Sequence, residues 1–222
     1  MRIGIFFTLF LFRKFGFRCQ VSGVRKEWRN SICALQIPER LTAAGIVSGI
    51  GPHNEPGLTD DIAPENLRFT RLARDKPWLS RLAYRFGGFM ARCMPGRLIT
   101  QAMTLLPEPD RAVLARPALQ EVFISMLKDA IRSGARGAQW DTALTVSRWD
   151  FRLQDIAMKV YLWYGERDRN VSPAMERYLE ATLPDSDVSA YPSEGHLALF
   201  FISPQKNVRS QNLLLFVANE DH

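Results

Sequence analysis

The chain has 222 residues, of which 46% are hydrophobic, enough to bury a sizeable core in one domain. The formal net charge is +6. Its arginines are scattered beside acids and apolar residues, with no basic run interleaved with aromatics, a pattern of a solvated basic surface rather than a nucleic-acid footprint. Cys19, Cys33 and Cys93 are irregularly spaced and fit neither a disulfide framework nor a zinc pattern. Reduced thiols in a cytoplasmic protein are then the default expectation.

The first element is the apolar run Ile3 to Phe12, preceded by Arg2 and followed by Arg13 and Lys14. It is shorter than the roughly 20 apolar residues that cross a bilayer. No small-x-small cleavage site follows it, as a signal peptide would require. A buried strand or loosely packed helix is expected, with sequence that has no native fold, or a helix on a membrane surface, as the alternatives. Next come Gln20-Val21-Ser22-Gly23-Val24, Ile37-Pro38-Glu39-Arg40-Leu41 and Ala43-Ala44-Gly45-Ile46-Val47-Ser48-Gly49. Gly51, Pro52, Pro56 and Gly57 mark a loop. His53, inside that loop, reads as a solvent-exposed histidine.

From Pro64 to Ala143 the pattern is helical. Leu79, Leu82, Ala83, Phe86, Phe89 and Met90 recur at helical spacing, as do Leu119, Val122, Phe123, Met126, Leu127 and Ile131. Pro64, Pro77, Pro95, Pro107, Pro109 and Pro117 divide the stretch into short helices, several with proline in the first turn. Strands are expected only on the flanks.

Two apolar runs follow. Val160-Tyr161-Leu162-Trp163-Tyr164-Gly165 ends in a turn that presents Asp168, and Val188 to Tyr191 leads into a loop that presents His196. The spacing leaves room for one helix and one strand, which would set the second run beside the first in a βαβ unit. Asp168 and His196 should then lie within hydrogen-bond reach at one edge of a parallel sheet. An acid that orients an imidazole and stabilises it as imidazolium is two-thirds of a Ser-His-Asp relay. The third part is a hydroxyl nucleophile whose proton the imidazole takes. The tail from Pro204 does not read as a long amphipathic helix, and His222 is terminal. His196 alone stands in a strong motif, so neither a metal site nor a cofactor is implied.

These motifs resemble the α/β-hydrolase superfamily over about Ser31 to Leu199. Gly165-Glu166-Arg167-Asp168-Arg169-Asn170-Val171-Ser172-Pro173 looks like the family's acid loop, and Tyr191-Pro192-Ser193-Glu194-Gly195-His196 looks like its histidine loop. The resemblance implies a serine hydrolase with Asp168 as triad acid and His196 as base. It implies a mostly parallel sheet carrying a helical lid, here about residues 53–150 of a single domain spanning 1–222. Ala135-Arg136-Gly137-Ala138-Gln139-Trp140-Asp141 and Arg148-Trp149-Asp150-Phe151 resemble the lid exit of one family branch.

The family's nucleophile pattern is Gly-x-Ser-x-Gly, a strained strand-to-helix turn. Ser22 occupies the serine position, and the order Ser22, Asp168, His196 agrees with the family's. Gln20 and Val24 replace the outer glycines, where a side chain crowds the elbow. Ser22 is therefore either the nucleophile or an ordinary serine. Only twenty-one residues precede it, too few for the family's first strands and for the loop that supplies an oxyanion donor. The sequence thus looks like a hydrolase fold lacking its N-terminal half. Two functions stand: a hydrolase of ester or other acyl bonds with a small-molecule substrate, or a non-catalytic remnant that binds a small apolar ligand or a partner chain.

Overall fold

The computed structural model describes residues 44–202, together with Leu35 and Pro38. Ser22, the apolar run from Ile3, Cys19, Cys33, His222 and the tail from Pro204 lie outside the described residues.

The chain alternates between sheet and helix. Strand β1 is Ala44–Val47. Six helices follow: α1 Pro64–Asp75, α2 Pro77–Cys93, α3 Pro95–Leu105, α4 Glu108–Leu114, α5 Pro117–Ala130 and α6 Ala135–Thr145. A 3-10 turn at Leu153–Asp155 leads to β2, Val160–Gly165. Helix α7, Pro173–Thr182, strand β3, Ser186–Tyr191, and helix α8, His196–Ile202, complete the order.

The three strands form one sheet in the order β1-β2-β3, and both pairings are parallel. Ile46 lies opposite Leu162, and Leu162 opposite Val188. Parallel strands all end at the same edge, so the segments after β1, β2 and β3 gather there, where α/β folds place their ligands. β2 is the central strand. Its apolar, aromatic-rich sequence suits burial on both faces, and Val160, Leu162, Trp163 and Tyr164 are buried. Ile156, Leu179 and Leu183 close over this sheet core.

The stretch between β1 and β2 is helical, as the apolar spacing and the prolines predict. Pro64, Pro77, Pro95 and Pro117 each open a helix at its first position, and Pro173 opens α7. Proline's fixed φ suits that position, and its missing N–H would have had no intrahelical partner there. The helices share a second core of Tyr84, Leu98, Leu114, Phe123 and Leu127. Leu197 and Ala198, from α8, belong to the same cluster. The element that carries His196 is therefore packed into the helical layer as well as placed by the sheet.

One sequence expectation changes. The stripe Leu82, Phe86 and Phe89 on α2 faces outward with Trp78, which is 66% exposed. The buried face of α2 carries Ala83 and Met90 of the same spacing, with Ser80, Tyr84, Gly87, Gly88 and Ala91. Close approach explains the choice: a Cβ on Gly88 would stand 1.5 Å from Ile131 Cδ1. Small residues let α2 sit tightly against α5 and α6, and the Tyr84 hydroxyl hydrogen-bonds Thr142 across that contact. Phe123, Met126, Leu127 and Ile131 are buried as their spacing predicts. Among the described residues, no helix is long and apolar enough to cross a membrane.

Candidate active site

Asp168 is placed by the turn after β2. Asp168 Oδ1 accepts hydrogen bonds from the backbone N–H of Asn170 (2.8 Å) and Val171 (3.0 Å). This is the local bonding by which aspartate commonly stabilises a turn. It immobilises the carboxylate and leaves Oδ2 for another partner. Ser172 Oγ then caps α7 by accepting from Ala174 N at 3.1 Å. Ser172 and Pro173, the last residues of the acid loop, thus start the helix that carries the chain back to β3.

His196 is placed by the loop after β3. Two backbone bonds tie this loop to the acid turn: Glu166 N donates to Tyr191 O and Arg167 N to Glu194 O, each at 3.0 Å. Gly165 makes the approach possible, because a Cβ there would lie 2.3 Å from Glu194 O. His196 Nδ1 donates to Asp168 Oδ2 at 2.7 Å. The side chains are 0% and 3% exposed, so the pair is screened little by water. With its proton on Nδ1, the neutral imidazole has Nε2 as its proton-accepting nitrogen.

The surroundings favour a charged imidazole. Burial alone would depress the His196 pKa, but the Asp168 carboxylate, through charge and hydrogen bond, and the Asp110 charge together raise it. Asp110 comes from α4 and is itself fully buried. Its pKa is raised to about 6, first by burial and then by Asp168, against the charge of His196. Glu176 of α7 is also buried and accepts from Gly49 N, just beyond β1. Burial holds its carboxyl well above the usual range, against the Gly49 hydrogen bond, and the Asp168 charge adds to the rise. Two acids, Asp168 and Asp110, thus face one imidazole, an arrangement that can take up a proton from a hydroxyl and hold it.

Of the three site residues that the sequence offers, the structure brings Asp168 and His196 together, and Ser22 lies outside the described residues. His53 departs from expectation: it is half-buried and its pKa is lowered to about 4, mainly by burial. Asp110 was not legible as a site residue. An acid after Pro109 at a helix start reads as a favourable charge in the first turn, and nothing local ties it to a histidine 86 residues away. Among the described residues, no group of three His, Cys, Asp or Glu side chains is placed to hold a metal ion.

No family model and no curated protein matches the sequence. Solved structures do match the fold. An α/β-hydrolase fold protein from Nakamurella multipartita is 20% identical, with a TM-score of 0.53 over 82% of this chain and 63% of its own. A hydrolase from Pseudomonas aeruginosa is 15% identical, with a TM-score of 0.52 over 79% of this chain and 56% of its own. A thermophilic esterase from Thermogutta terrifontis is 17% identical, with a TM-score of 0.51 over 82% of this chain and 58% of its own. The chain has the α/β-hydrolase fold and spans less than two thirds of the length of each of these neighbours.

Proposed function

We propose that the chain, built on the α/β-hydrolase fold, acts as a serine hydrolase on ester or related acyl bonds, with His196 as base, Asp168 as its orienting acid and Ser22 as nucleophile. One observation carries this reading: the buried 2.7 Å bond between His196 Nδ1 and Asp168 Oδ2 at the carboxyl edge of a parallel sheet. That bond leaves Nε2 to take the Ser22 hydroxyl proton as Oγ attacks the acyl carbon. The imidazolium then returns the proton to the leaving oxygen. A water that gives a proton to Nε2 attacks the acyl-serine, and the acid is released with the hydroxyl restored. Asn170 N and Val171 N hold the Asp168 carboxylate in place beside the ring.

Turnover should be slow. Gln20 and Val24 stand where the elbow calls for glycines, and misplacing a nucleophile by about 1 Å costs on the order of 100-fold in rate. The same two residues favour a second reading, a non-catalytic fold that binds a small apolar ligand or a partner chain. The test compares the parent chain with Ser22→Ala and His196→Ala on a short-chain acyl ester, with labelling by a serine-directed phosphonate. Weak turnover and weak labelling, both lost in either variant, support the hydrolase. Turnover that survives Ser22→Ala but not His196→Ala moves the nucleophile to another residue. Absence of both signals in the parent leaves the binding reading.

A further inference from the structure

The His196 loop is held from outside the sheet. Asp110 Oδ2 accepts from His196 N at 3.2 Å, and Oδ1 accepts from Leu197 N at 2.8 Å and Ala198 N at 3.2 Å. These are the first three backbone donors of α8, and the first turn of a helix has no intrahelical acceptors for such groups. Helices usually meet that need with a side chain from the adjacent residue. Here the adjacent residue is Gly195, which has no side chain to offer. Glycine is required at that place, because a Cβ would stand 2.5 Å from Asp110 Oδ1 and 2.7 Å from its carboxyl carbon. Asp110 is 0% exposed, so its carboxylate is committed to this contact. The contact is reinforced below it, where Leu197 and Ala198 enter the helical core beside Val113 and Leu114 of α4.

We propose that Asp110 is a positioning residue for the His196 base: its carboxylate, carried by the helical layer, fixes the first turn of α8 and so holds the imidazole against Asp168. The proposal rests on the reading of His196 and Asp168 as base and acid. Its physical content is that two separately built parts meet at one residue. The sheet sets Asp168, and the helical layer, through Asp110, sets the backbone from which the imidazole projects. A second negative charge near the ring also favours the imidazolium that forms when a hydroxyl gives up its proton. A displacement of α4 would therefore reach the base directly, through three hydrogen bonds to a single carboxylate.

The experiment follows the His196 imidazole itself, so it does not depend on turnover. The full chain is labelled with nitrogen-15 histidine, and the ring signals of His196 are assigned against His53 and His222 with His196→Gln. The titratable groups facing the contact are His196 of α8 and Asp168 of the β2 turn. Asp110→Asn keeps shape and one carbonyl acceptor but removes the charge. It should leave the chain folded and lower the His196 titration midpoint by roughly half a pH unit or more, since a nearby opposite charge is lost. Asp110→Ala removes all three acceptors and should, in addition, abolish the slowly exchanging Nδ1–H signal. The idea fails if Asp110→Asn, folded, leaves both the midpoint and the Nδ1–H signal where the parent has them. Asp110 would then only cap a helix. Failure of the underlying pair shows elsewhere, as an unchanged His196 midpoint in Asp168→Asn.

Discussion

Gly165→Ala tests whether the two site loops depend on close backbone contact. An added Cβ would meet Glu194 O at 2.3 Å, Glu194 C at 2.8 Å and Gly195 O at 3.1 Å. Ordinary contact begins near 3.4 Å, and each of these neighbours is backbone, which cannot rotate away like a side chain. The histidine loop would have to retreat by about 1 Å in a medium packed to crystal-like density. Overpacking of this kind costs roughly 1–3 kcal/mol. The retreat also stretches the bonds Glu166 N–Tyr191 O and Arg167 N–Glu194 O, each worth about 1 kcal/mol net. A loss of about 2–4 kcal/mol is expected, a large share of the ~5–15 kcal/mol typical of a domain. The assay is denaturant unfolding, with the His196 Nδ1–H signal as the local readout. The control is Gly137→Ala in α6, where a Cβ meets nothing within 4 Å and helix propensity favours alanine by up to about 1 kcal/mol. A Gly165→Ala chain within 0.5 kcal/mol of the parent, with the Nδ1–H signal intact, would refute the reasoning.

Two further substitutions probe buried ionisable groups. Glu176 has a folded-state pKa raised above its unfolded value, mainly by burial, so the folded chain holds its proton more tightly and stability falls as pH rises from the unfolded pKa through the folded one. Glu176→Gln, which keeps an acceptor for Gly49 N, should remove that decline, measured as the difference in Tm between pH 5 and pH 8 for parent and variant. An unchanged difference would show that Glu176 is not the group responsible. His53 has a folded pKa lowered to about 4, mainly by burial, so its contribution is present above the unfolded value of 6.5 and is lost as pH falls from there through about 4. His53→Gln should flatten acid unfolding in that window, with equal acid slopes in the two proteins as the contrary result.

The sheet and its two loops were legible because their determinants are local. β2 is a run of aliphatic and aromatic residues, and the Asp168 turn is closed by N–H groups two and three residues ahead. The helical stretch was legible from proline placement for the same reason: a fixed φ acts on its own turn. Periodicity was a weaker guide to the buried face of α2. Of the residues it marked, Ala83 and Met90 are buried but Leu82, Phe86 and Phe89 are not, and the structure buries Ser80, Gly87, Gly88 and Ala91 beside them. Periodicity reports a helical face without telling whether large side chains or close backbones will be met there.

The local sequence determined that a carboxylate would follow β2 and a histidine would follow β3, since each depends on a strand and the turn at its end. The order of Asp168 and His196 along the chain, and the parallel sense of their strands, come from the same short-range patterns. Only the tertiary structure decided what surrounds the imidazole. Asp110 reaches His196 N, Leu197 N and Ala198 N across 86 to 88 residues. Gly195 is needed because that carboxylate passes beside it, and Gly165 because the histidine loop crosses over it. His53 is shielded by a fold its own loop does not announce. Each of these outcomes depends on which surfaces meet when sheet and helices pack. That choice is set by the sum of many contacts between distant segments, so no single stretch of sequence carries it.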